Sequence, residues 1–214
     1  MPEECDGTPP PRWHASASGG GFDTTIKFTG NDSDVEREVD LREATVFATL
    51  SWQRTPHYSL QLTLGGILDG SATPAGAGKG DVGGGGAVSL GWSWLALYEQ
   101  EKRPFLQVAA SLGVSSAGVV SDDGMRHQLT AGDLRVGVLV GKTFFERVTI
   151  FAAARGFAGP VFWHLGGEGV MGGDTHHYAL GLGTVLRLPG RIDVFAEAMA
   201  LGERSVSLGA GLAF

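Results

Sequence analysis

The stretch that decides the fold is Val206-Ser207-Leu208-Gly209-Ala210-Gly211-Leu212-Ala213-Phe214, in which every second residue is apolar. The residues between are Ser, Gly or Ala, and the segment ends on an aromatic residue. Successive side chains of a β-strand point to opposite faces, so this segment has one apolar face and one small, polar-tolerant face. The same alternation recurs in at least eight other segments, without a charge in mid-strand on the apolar side. The pattern predicts an all-β, closed antiparallel transmembrane barrel whose apolar face meets lipid.

The composition of the chain is compatible with one barrel domain and argues against two other classes of protein. A chain of 214 residues is one domain, or one domain with a tail. Glycine is abundant, with 35 residues, and it lies inside the alternating segments, where it marks strands that bend or leave interior space. The net charge of -7 with few Lys/Arg clusters argues against a nucleic-acid-binding surface. No apolar run is long enough for a transmembrane helix.

The chain is predicted to divide into a flexible polar leader, residues 1–11, and a barrel domain, residues 12–214. Cys5 in the leader is the only cysteine, which excludes an intramolecular disulfide and favours an inert thiol over a lipidation site. The first residues do not have the basic and apolar regions of a secretory signal. If the chain is such a membrane barrel, an export signal is expected to have been removed.

The alternating segments predict ten strands, with eight as the alternative if the first and last hairpins are misread. The first strand is the least regular of them. Residues 13–18 alternate, residues 19–21 interrupt the phase, and Phe22, Ile26 and Phe28 resume it. One strand with a glycine bulge is predicted, because a bulge shifts the facing by one residue.

The connections alternate between long and short, as the loops and turns of outer-membrane barrels do. The long connections are predicted at 30–42, 69–86, 121–128 and 159–174, and the short ones at 54–57, 99–104, 144–147 and 188–191. Aromatic residues gather near the short turns and predict an interfacial girdle. Its members are Trp52, Tyr58, Trp94, Tyr98, Phe105, Phe144, Phe145 and Phe214. Both termini are predicted on the short-turn side.

Taken together, residues 12–214 resemble the bacterial outer-membrane β-barrel proteins in architecture. The resemblance implies location in the outer membrane, contact with its lipid, and recognition of the terminal strand ending in Phe214 by the barrel-assembly machinery. The long loops are candidates for binding other envelope proteins. A soluble sandwich or lipocalin-like barrel is the alternative. It would have to bury Arg135, Arg155, Asp193 and Glu197, which is costly unless each charge is paired.

One set of charged residues falls on the inward face of consecutive strands. Its members are Asp133, Arg135, Arg155, Arg187, Asp193 and Glu197, with Lys27 as a further candidate. The set forms either an ion-selecting constriction or a salt-bridge network that plugs a narrow barrel. Ten strands lie close to the size at which side chains fill the interior, which favours the plug. The predicted function is non-enzymatic: a narrow passive pore for ions or small solutes, or a structural or partner-binding barrel.

A surface-facing hydrolase is the alternative function. Asp174-Thr175-His176 resembles the Asp/His pair of the ten-stranded omptin proteases, and Asp122-Asp123 or Asp32 and Asp34 could supply the acidic pair those enzymes also need. A lipid hydrolase is disfavoured, because outward Ser116 has no mid-strand His beside it, and His14 with Ser16 is a weak pairing.

No cofactor or metal site is predicted. His164, His176 and His177, which lie with Glu168 in the same loop group, are possible metal ligands, but they lack the usual spacing of such sites.

Overall fold

A computed structural model describes residues 12–29, 36–75, 79–120, 124, 126–165 and 168–214, without the side chains of residues 36, 164, 165 and 168. Within these residues the chain forms twelve strands. They are β1 (Trp13–Thr29), β2 (Glu36–Thr55), β3 (Tyr58–Pro74), β4 (Gly80–Leu97), β5 (Phe105–Val120), β6 (Arg126–Phe144), β7 (Val148–Ala158), β8 (Val161–Leu165), β9 (Glu168–Asp174), β10 (Tyr178–Leu188), β11 (Ile192–Gly202) and β12 (Arg204–Ala213). The predicted leader, with Cys5, lies outside the described residues. No helix in the described part of the chain is long and apolar enough to cross a membrane.

Ten of these strands form a closed antiparallel ring. β1 to β7 follow one another, β7 pairs with β10, and β12 returns to pair with β1 from His14↔Ala213 to Asp23↔Arg204. The predicted fold class, a closed antiparallel barrel, is therefore confirmed, although the described sheet has twelve strands rather than ten. The predicted long loop 159–174 is wrong: this stretch contains the hairpin β8–β9, which adds two strands to the sheet.

The hairpin β8–β9 gives the barrel two tiers. In the lower tier the ring has ten strands, and four of them, β7, β10, β11 and β12, are only 10 or 11 residues long. β1 to β6 are 16 to 20 residues long and continue above them. There β8 pairs with β6 and β9 pairs with β1, so the upper tier closes with eight strands.

In the lower tier the apolar side chains face outward, as predicted. Leu90, Leu112, Leu182, Val206 and Leu208 are each more than 60% exposed, although all are large and apolar. The residues between them face the lumen and are mostly small or polar. A soluble monomer does not expose an apolar surface that continues around the whole molecule, so this belt is built to contact lipid.

In the upper tier the apolar side chains face inward instead. The upper core consists of Ile26, Phe28, Val39, Leu41, Ile67, Ala72, Val82, Ala117, Val119, Leu129, Val161, Trp163 and Val170. An eight-stranded barrel is just wide enough for side chains to fill, and this core fills it. The outer face of the same tier is charged, and Lys27, a candidate for the lumen, lies there 3.2 Å from Glu38.

This change of face explains three differences from the sequence prediction. β1 is a single strand, as predicted. The predicted glycine bulge is wrong, because the pairing of β1 with both neighbouring strands has no register shift. Phe22, Ile26 and Phe28 lie in phase with His14 and face inward, because the strand has left the lipid-facing tier. The predicted loops 30–42 and 69–86 are shorter than expected for the same reason: β2 begins at Glu36, β3 continues to Pro74 and β4 begins at Gly80.

The short turns lie together at the opposite end of the barrel, as predicted. The turn after Phe144 is tight, with Phe145 and Glu146 both at positive φ and the Arg147 N–H donating to the Phe144 carbonyl. Trp13 and Phe214 exchange two backbone hydrogen bonds at this end, at 3.0 and 2.9 Å. Both end strands of the described ring therefore meet on the short-turn side.

Candidate functional site

The lumen just below the upper core is built around Arg135, which points inward from β6. Its Nε donates to the carboxylate of Asp133, two residues away on the same face. Its two terminal nitrogens donate to the two carboxylate oxygens of Glu203, at 3.2 and 3.3 Å. The guanidinium also lies over the ring of Phe157, 5.3 Å from its centre. Two carboxylates and an aromatic ring thus hold the Arg135 guanidinium across the lumen, although its side chain remains 36% exposed.

Glu203 is a member of this cluster that the sequence did not indicate. It belongs to the turn between β11 and β12, where Gly202 takes a positive φ of 78°. The side chain of Glu203 nevertheless turns inward and is only 6% exposed. A Gly-Glu-Arg turn is typical of a solvent-exposed connection, and nothing in the local pattern distinguishes an inward carboxylate there.

Two further acidic residues face inward near this level. Asp174, at the end of β9, accepts a hydrogen bond of 3.0 Å from the Thr24 hydroxyl. Glu43 on β2 is buried and has no hydrogen bond or ion pair with another described residue. The lumen below the upper core is therefore more acidic than the predicted set implied.

A second charged layer lies nearer the short-turn end. Nη2 of Arg155 donates to Glu197 at 2.6 Å, and Nε2 of His14 lies 3.6 Å from Asp193. His14 was considered only for hydrolysis, yet β1 closes the ring beside β12 and brings it across from β11. Arg187 is exposed at the short-turn end and forms no ion pair within the described residues.

Bulky side chains occupy one wall of the lower lumen. Phe151, Ala153, Phe157, Ala179 and Met199 form a buried cluster. The partly buried side chains of Phe105, Leu139 and Val185 pack against this cluster. The ring of Phe151 occupies the space above Gly183, and the ring of Phe195 occupies the space above Gly209. Large residues from some strands thus lean onto glycines of others and reduce the open cross-section.

The aromatic residues near the short turns mostly face outward. Trp13 stacks on Trp52 with ring centres 6.1 Å apart, and Tyr58 stacks between Trp92 and Trp94. Tyr98, Phe144, Phe145 and Phe214 are also exposed. Phe105 is the exception: it pairs with Gly141 and faces the lumen, so its assignment to the girdle was wrong.

A polar cup opens at the short-turn end, with a volume of about 370 Å³. Its wall includes His14, Gln53 and Gln107, together with Ser59 and Ser93, whose hydroxyl oxygens lie 2.7 Å apart. Above the cup follow the charged layers and then the upper core. The described lumen is therefore polar at one end and apolar at the other.

The residues proposed for hydrolysis are not assembled in the described part of the chain. Asp174 faces the lumen, whereas His176 is exposed and contacts Tyr178 with ring centres 6.2 Å apart. Asp32, Asp34, Asp122 and Asp123 lie outside the described residues.

The residues considered for a lipid hydrolase and for a metal site are not brought together in the described part of the chain either. His14 and Ser16 face the lumen rather than lipid, and outward Ser116 hydrogen-bonds to Gln128 at 2.8 Å. His164 and Glu168 have no described side chains. The described residues contain no group of three or more His, Cys, Asp or Glu side chains placed to hold a metal ion.

No protein-family model matches the sequence, and no curated protein matches it. Solved structures do match. The outer membrane protease OmpT from Escherichia coli has a TM-score of 0.61 at 10% identity, covering 99% of both chains. OprG from Pseudomonas aeruginosa has a TM-score of 0.51 at 10% identity, covering 96% of this chain and 97% of that chain. The translocator domain of the autotransporter NalP from Neisseria meningitidis has a TM-score of 0.50 at 13% identity, covering 99% of this chain and 90% of that chain.

At these identities the likeness concerns the fold. It confirms the architectural resemblance stated from the sequence. It also confirms the predicted localisation in the outer membrane, because OmpT and OprG are outer-membrane proteins. The chain has the fold of the bacterial outer-membrane β-barrels.

Proposed function

We propose that this protein is an outer-membrane barrel with a closed lumen, which acts as a structural or partner-binding barrel rather than as a passive pore or an enzyme. Outer-membrane lipid surrounds its lower tier, and the barrel-assembly machinery recognises β12. The upper tier stands above the lipid-facing belt and offers its outer wall and connections to other envelope proteins.

The observation that carries this proposal is the apolar core of the upper tier. Phe28, Val39, Val82 and Val119 are each less than 2% exposed, and they come from four different strands. Protein interiors pack as densely as organic crystals, so a filled core of this kind leaves no aqueous path along the barrel axis. An ion crossing it would lose its hydration without gaining a polar partner.

The charged layers support the same proposal. A conducting constriction offers charges that remain available to passing ions. Here Arg135 is engaged by Asp133, Glu203 and Phe157, and Arg155 by Glu197. These groups are neutralised locally and span the lumen, as expected of a plug. The polar cup at the short-turn end is then a closed recess rather than the mouth of a channel.

Single-channel recording in a planar lipid bilayer tests the proposal. The wild-type protein, with insertion verified by protease protection, should give no steady conductance steps. The double variant Val39→Ser, Val82→Ser hydrates the upper core and should give intermittent steps. The matched control Val46→Ser, Val88→Ser places the same changes on the lipid-facing side of the same two strands and should remain silent if it inserts.

Steady steps from the wild-type protein would overturn the closed lumen. If Arg135→Gln or Arg155→Gln then changed the ion selectivity of those steps, the charged set would instead be the constriction of a narrow pore.

A further inference from the structure

Arginines surround the mouth of the lumen at the short-turn end. Each of them lies two residues from a side chain that faces the lumen, and therefore on the same face of the sheet. One, for example, is two residues before His14, and another is two residues after Val185. They adjoin or belong to β1, β5, β7, β10 and β11, and together they form an arginine rim: Arg12, Arg103, Arg147, Arg187 and Arg191.

The backbone holds the arginine rim in place but leaves its charges without counter-charges. The Arg187 N–H donates to the Arg147 carbonyl at 2.8 Å, and the Ala213 N–H donates to the Arg191 carbonyl at 3.0 Å. All five arginines are exposed, and none forms an ion pair with another described residue. Arg147 and Arg187 are thus neighbours of like charge, which is unfavourable in a sheet and would be relieved by a bound anion.

Carboxylates at this end do not balance the arginine rim. Glu99 is held by Lys142 at 3.6 Å. Asp193 is the Cα partner of Arg187, but it forms no ion pair with that residue and lies 3.6 Å from His14. The exposed carboxylates in the described short turns are those of Glu101 and Glu146. A chain with a net charge of -7 therefore has a basic mouth at this end.

The polar cup lies directly behind the arginine rim. Ser51, Gln53 and Gln107 line it, and their side chains form no hydrogen bond with another described residue. These hydroxyl and amide groups offer donors and acceptors together, which is what an extended peptide backbone requires. The volume of about 370 Å³ admits a short segment rather than a folded domain. Because the upper core fills the lumen beyond the cup, such a segment can dock but cannot pass through.

We propose that the cup and the arginine rim together bind an acidic peptide segment of a partner protein on the short-turn side of the membrane. The backbone of the segment bonds to the Ser and Gln side chains of the cup, and its carboxylates bind arginines of the rim. The rim arginines come from separated strands, so a segment with several carboxylates matches them better than one small anion does. They also lie on the lumen face of their strands rather than the lipid face, which favours a peptide over lipid phosphates.

The inference rests on the closed lumen and the partner-binding role proposed above. It adds the end of the barrel at which a partner docks and the chemistry of that partner.

Fluorescence anisotropy tests the site with the full chain in nanodiscs of phosphatidylcholine, and a labelled peptide of alternating Glu and Ser is the probe. The wild-type protein should bind this peptide, and binding should weaken as the salt concentration rises. The same peptide with Gln in place of Glu should not bind measurably. Arg147→Gln and Arg187→Gln should each weaken binding about two- to fivefold, as expected for exposed ion pairs.

The double variant Arg54→Gln, Lys102→Gln is the matched control for the double variant Arg147→Gln, Arg187→Gln. It removes two exposed cations of the same end that do not belong to the arginine rim, so binding should change by less than about twofold. An equal loss in the two double variants would mean that the peptide responds only to the net charge of this end, and would overturn the site.

Ser51→Tyr supplies a steric test, because its ring would occupy the cup. This variant should lose peptide binding. Leu50→Tyr is the matched control, since it places the same ring on the lipid-facing side of the same strand and should bind as wild type does. Heat-dependent gel mobility verifies that both variants fold. Full binding by folded Ser51→Tyr would exclude the cup as the site.

Absence of peptide binding by the wild-type protein would also overturn the inference. Glu3, Glu4 and Asp6 lie outside the described residues. Binding that appears only after Glu3→Gln, Glu4→Gln and Asp6→Asn would replace the partner by a segment of this chain. Conductance separates these results from failure of the closed lumen. A silent bilayer without peptide binding contradicts only the docking site, whereas steady conductance steps with peptide binding contradict only the closed lumen.

Discussion

Arg135 on β6 and Glu203 in the β11–β12 turn form a two-pronged hydrogen-bonded pair across the lumen, at 3.2 and 3.3 Å, at the height where ten strands give way to eight. β7, β10 and β11 lie between their strands in the ring. The pair therefore ties the top of the short-strand wall to a strand that continues into the upper tier.

We expect Glu203→Gln to destabilise the protein, because it removes one of the two carboxylate charges that compensate the partly buried Arg135. Loss of one partner from a fully buried pair lowers the free energy of unfolding by about 3–5 kcal/mol, and because Arg135 is 36% exposed and keeps Asp133 we expect a loss of about 2 kcal/mol. Glu43→Gln is the matched control, since Glu43 is buried and has no hydrogen-bond or ion-pair partner among the described residues, so its neutralisation should be neutral or stabilising. Urea unfolding from lipid vesicles measures both. Equal effects of the two substitutions would contradict the role given to the Arg135–Glu203 pair.

The two tiers predict stability losses of different size for the same substitution on one strand. Val119 is fully buried in the upper core and Val114 is 48% exposed on the belt of β5. Val119→Ala should lower the free energy of unfolding by about 2 kcal/mol, because it removes two buried methyl groups and leaves a cavity. Val114→Ala leaves no cavity and should change it by less than about 0.5 kcal/mol. A larger loss for Val114→Ala, measured by heat-dependent gel mobility, would mean that the upper core does not stabilise the barrel.

Gly183 is expected to resist any side chain. A Cβ there would collide with the ring of Phe151. Gly183→Ala should lower the free energy of unfolding by about 1–3 kcal/mol through overpacking. The double variant Gly183→Ala, Phe151→Leu should recover part of this loss, and Gly66→Ala on the outer face should have little effect. The absence of any rescue in unfolding experiments would show that Phe151 does not lean onto β10.

Glu99, in the turn between β4 and β5, gives a pH-dependent contribution to stability. Burial alone would raise its pKa, but hydrogen bonds from Thr143 and the charge of Lys142 outweigh it, and the pKa lies below the ordinary value of 4.5. A lowered carboxyl pKa contributes stability that is present above the unfolded-state pKa and is lost as the pH falls through the folded-state value.

Glu99→Gln should therefore destabilise the protein modestly at pH 7, and the difference from wild type should disappear in acid. Unfolding temperatures of both proteins from pH 7 down to pH 3 provide the test. Parallel curves over the whole range would show that the Glu99 carboxylate does not stabilise this turn.

If the barrel were a protease, Asp174 and His176 would both be required for its activity. The two side chains lie in different surroundings, one bonded to Thr24 in the lumen and the other beside Tyr178. We expect no cleavage of fluorogenic peptides by the protein in vesicles. If cleavage is found and either Asp174→Ala or His176→Ala abolishes it, the barrel is an enzyme. Cleavage unchanged in both variants would remove this pair from the mechanism.

The sequence predicted the lower tier well, because lipid contact imposes one rule on every strand there. Leu208 and Leu90 alternate with Gly209 and Ser89, and this alternation fixes the face of each residue without knowledge of its neighbours. The short turns were predictable too, because charged and turn-forming residues interrupt the alternation.

The upper tier was not predictable from alternation, because the same strand changes its apolar face as it leaves the lipid. The apolar run of Phe22, Ile26 and Phe28 is inward, and only the pairing of β1 with β9 shows why. The partners of the ion pairs could not be predicted from the sequence either. Glu203 and His14 reach Arg135 and Asp193 only because the ring closes between segments distant in sequence.

The four short strands also fix how deep a membrane this barrel fits. A strand of 11 residues is about 36 Å long, and at the usual tilt of about 40° it spans about 28 Å along the membrane normal. The charged edge that begins at Asp23 and Arg204 lies at their upper end and resists immersion in hydrocarbon. A thicker bilayer would have to thin around the protein, at a cost of a fraction of a kcal/mol per Å of mismatch. The length of β7, β10, β11 and β12 therefore matches the barrel to a thin bilayer, and its insertion into a thick bilayer is disfavoured.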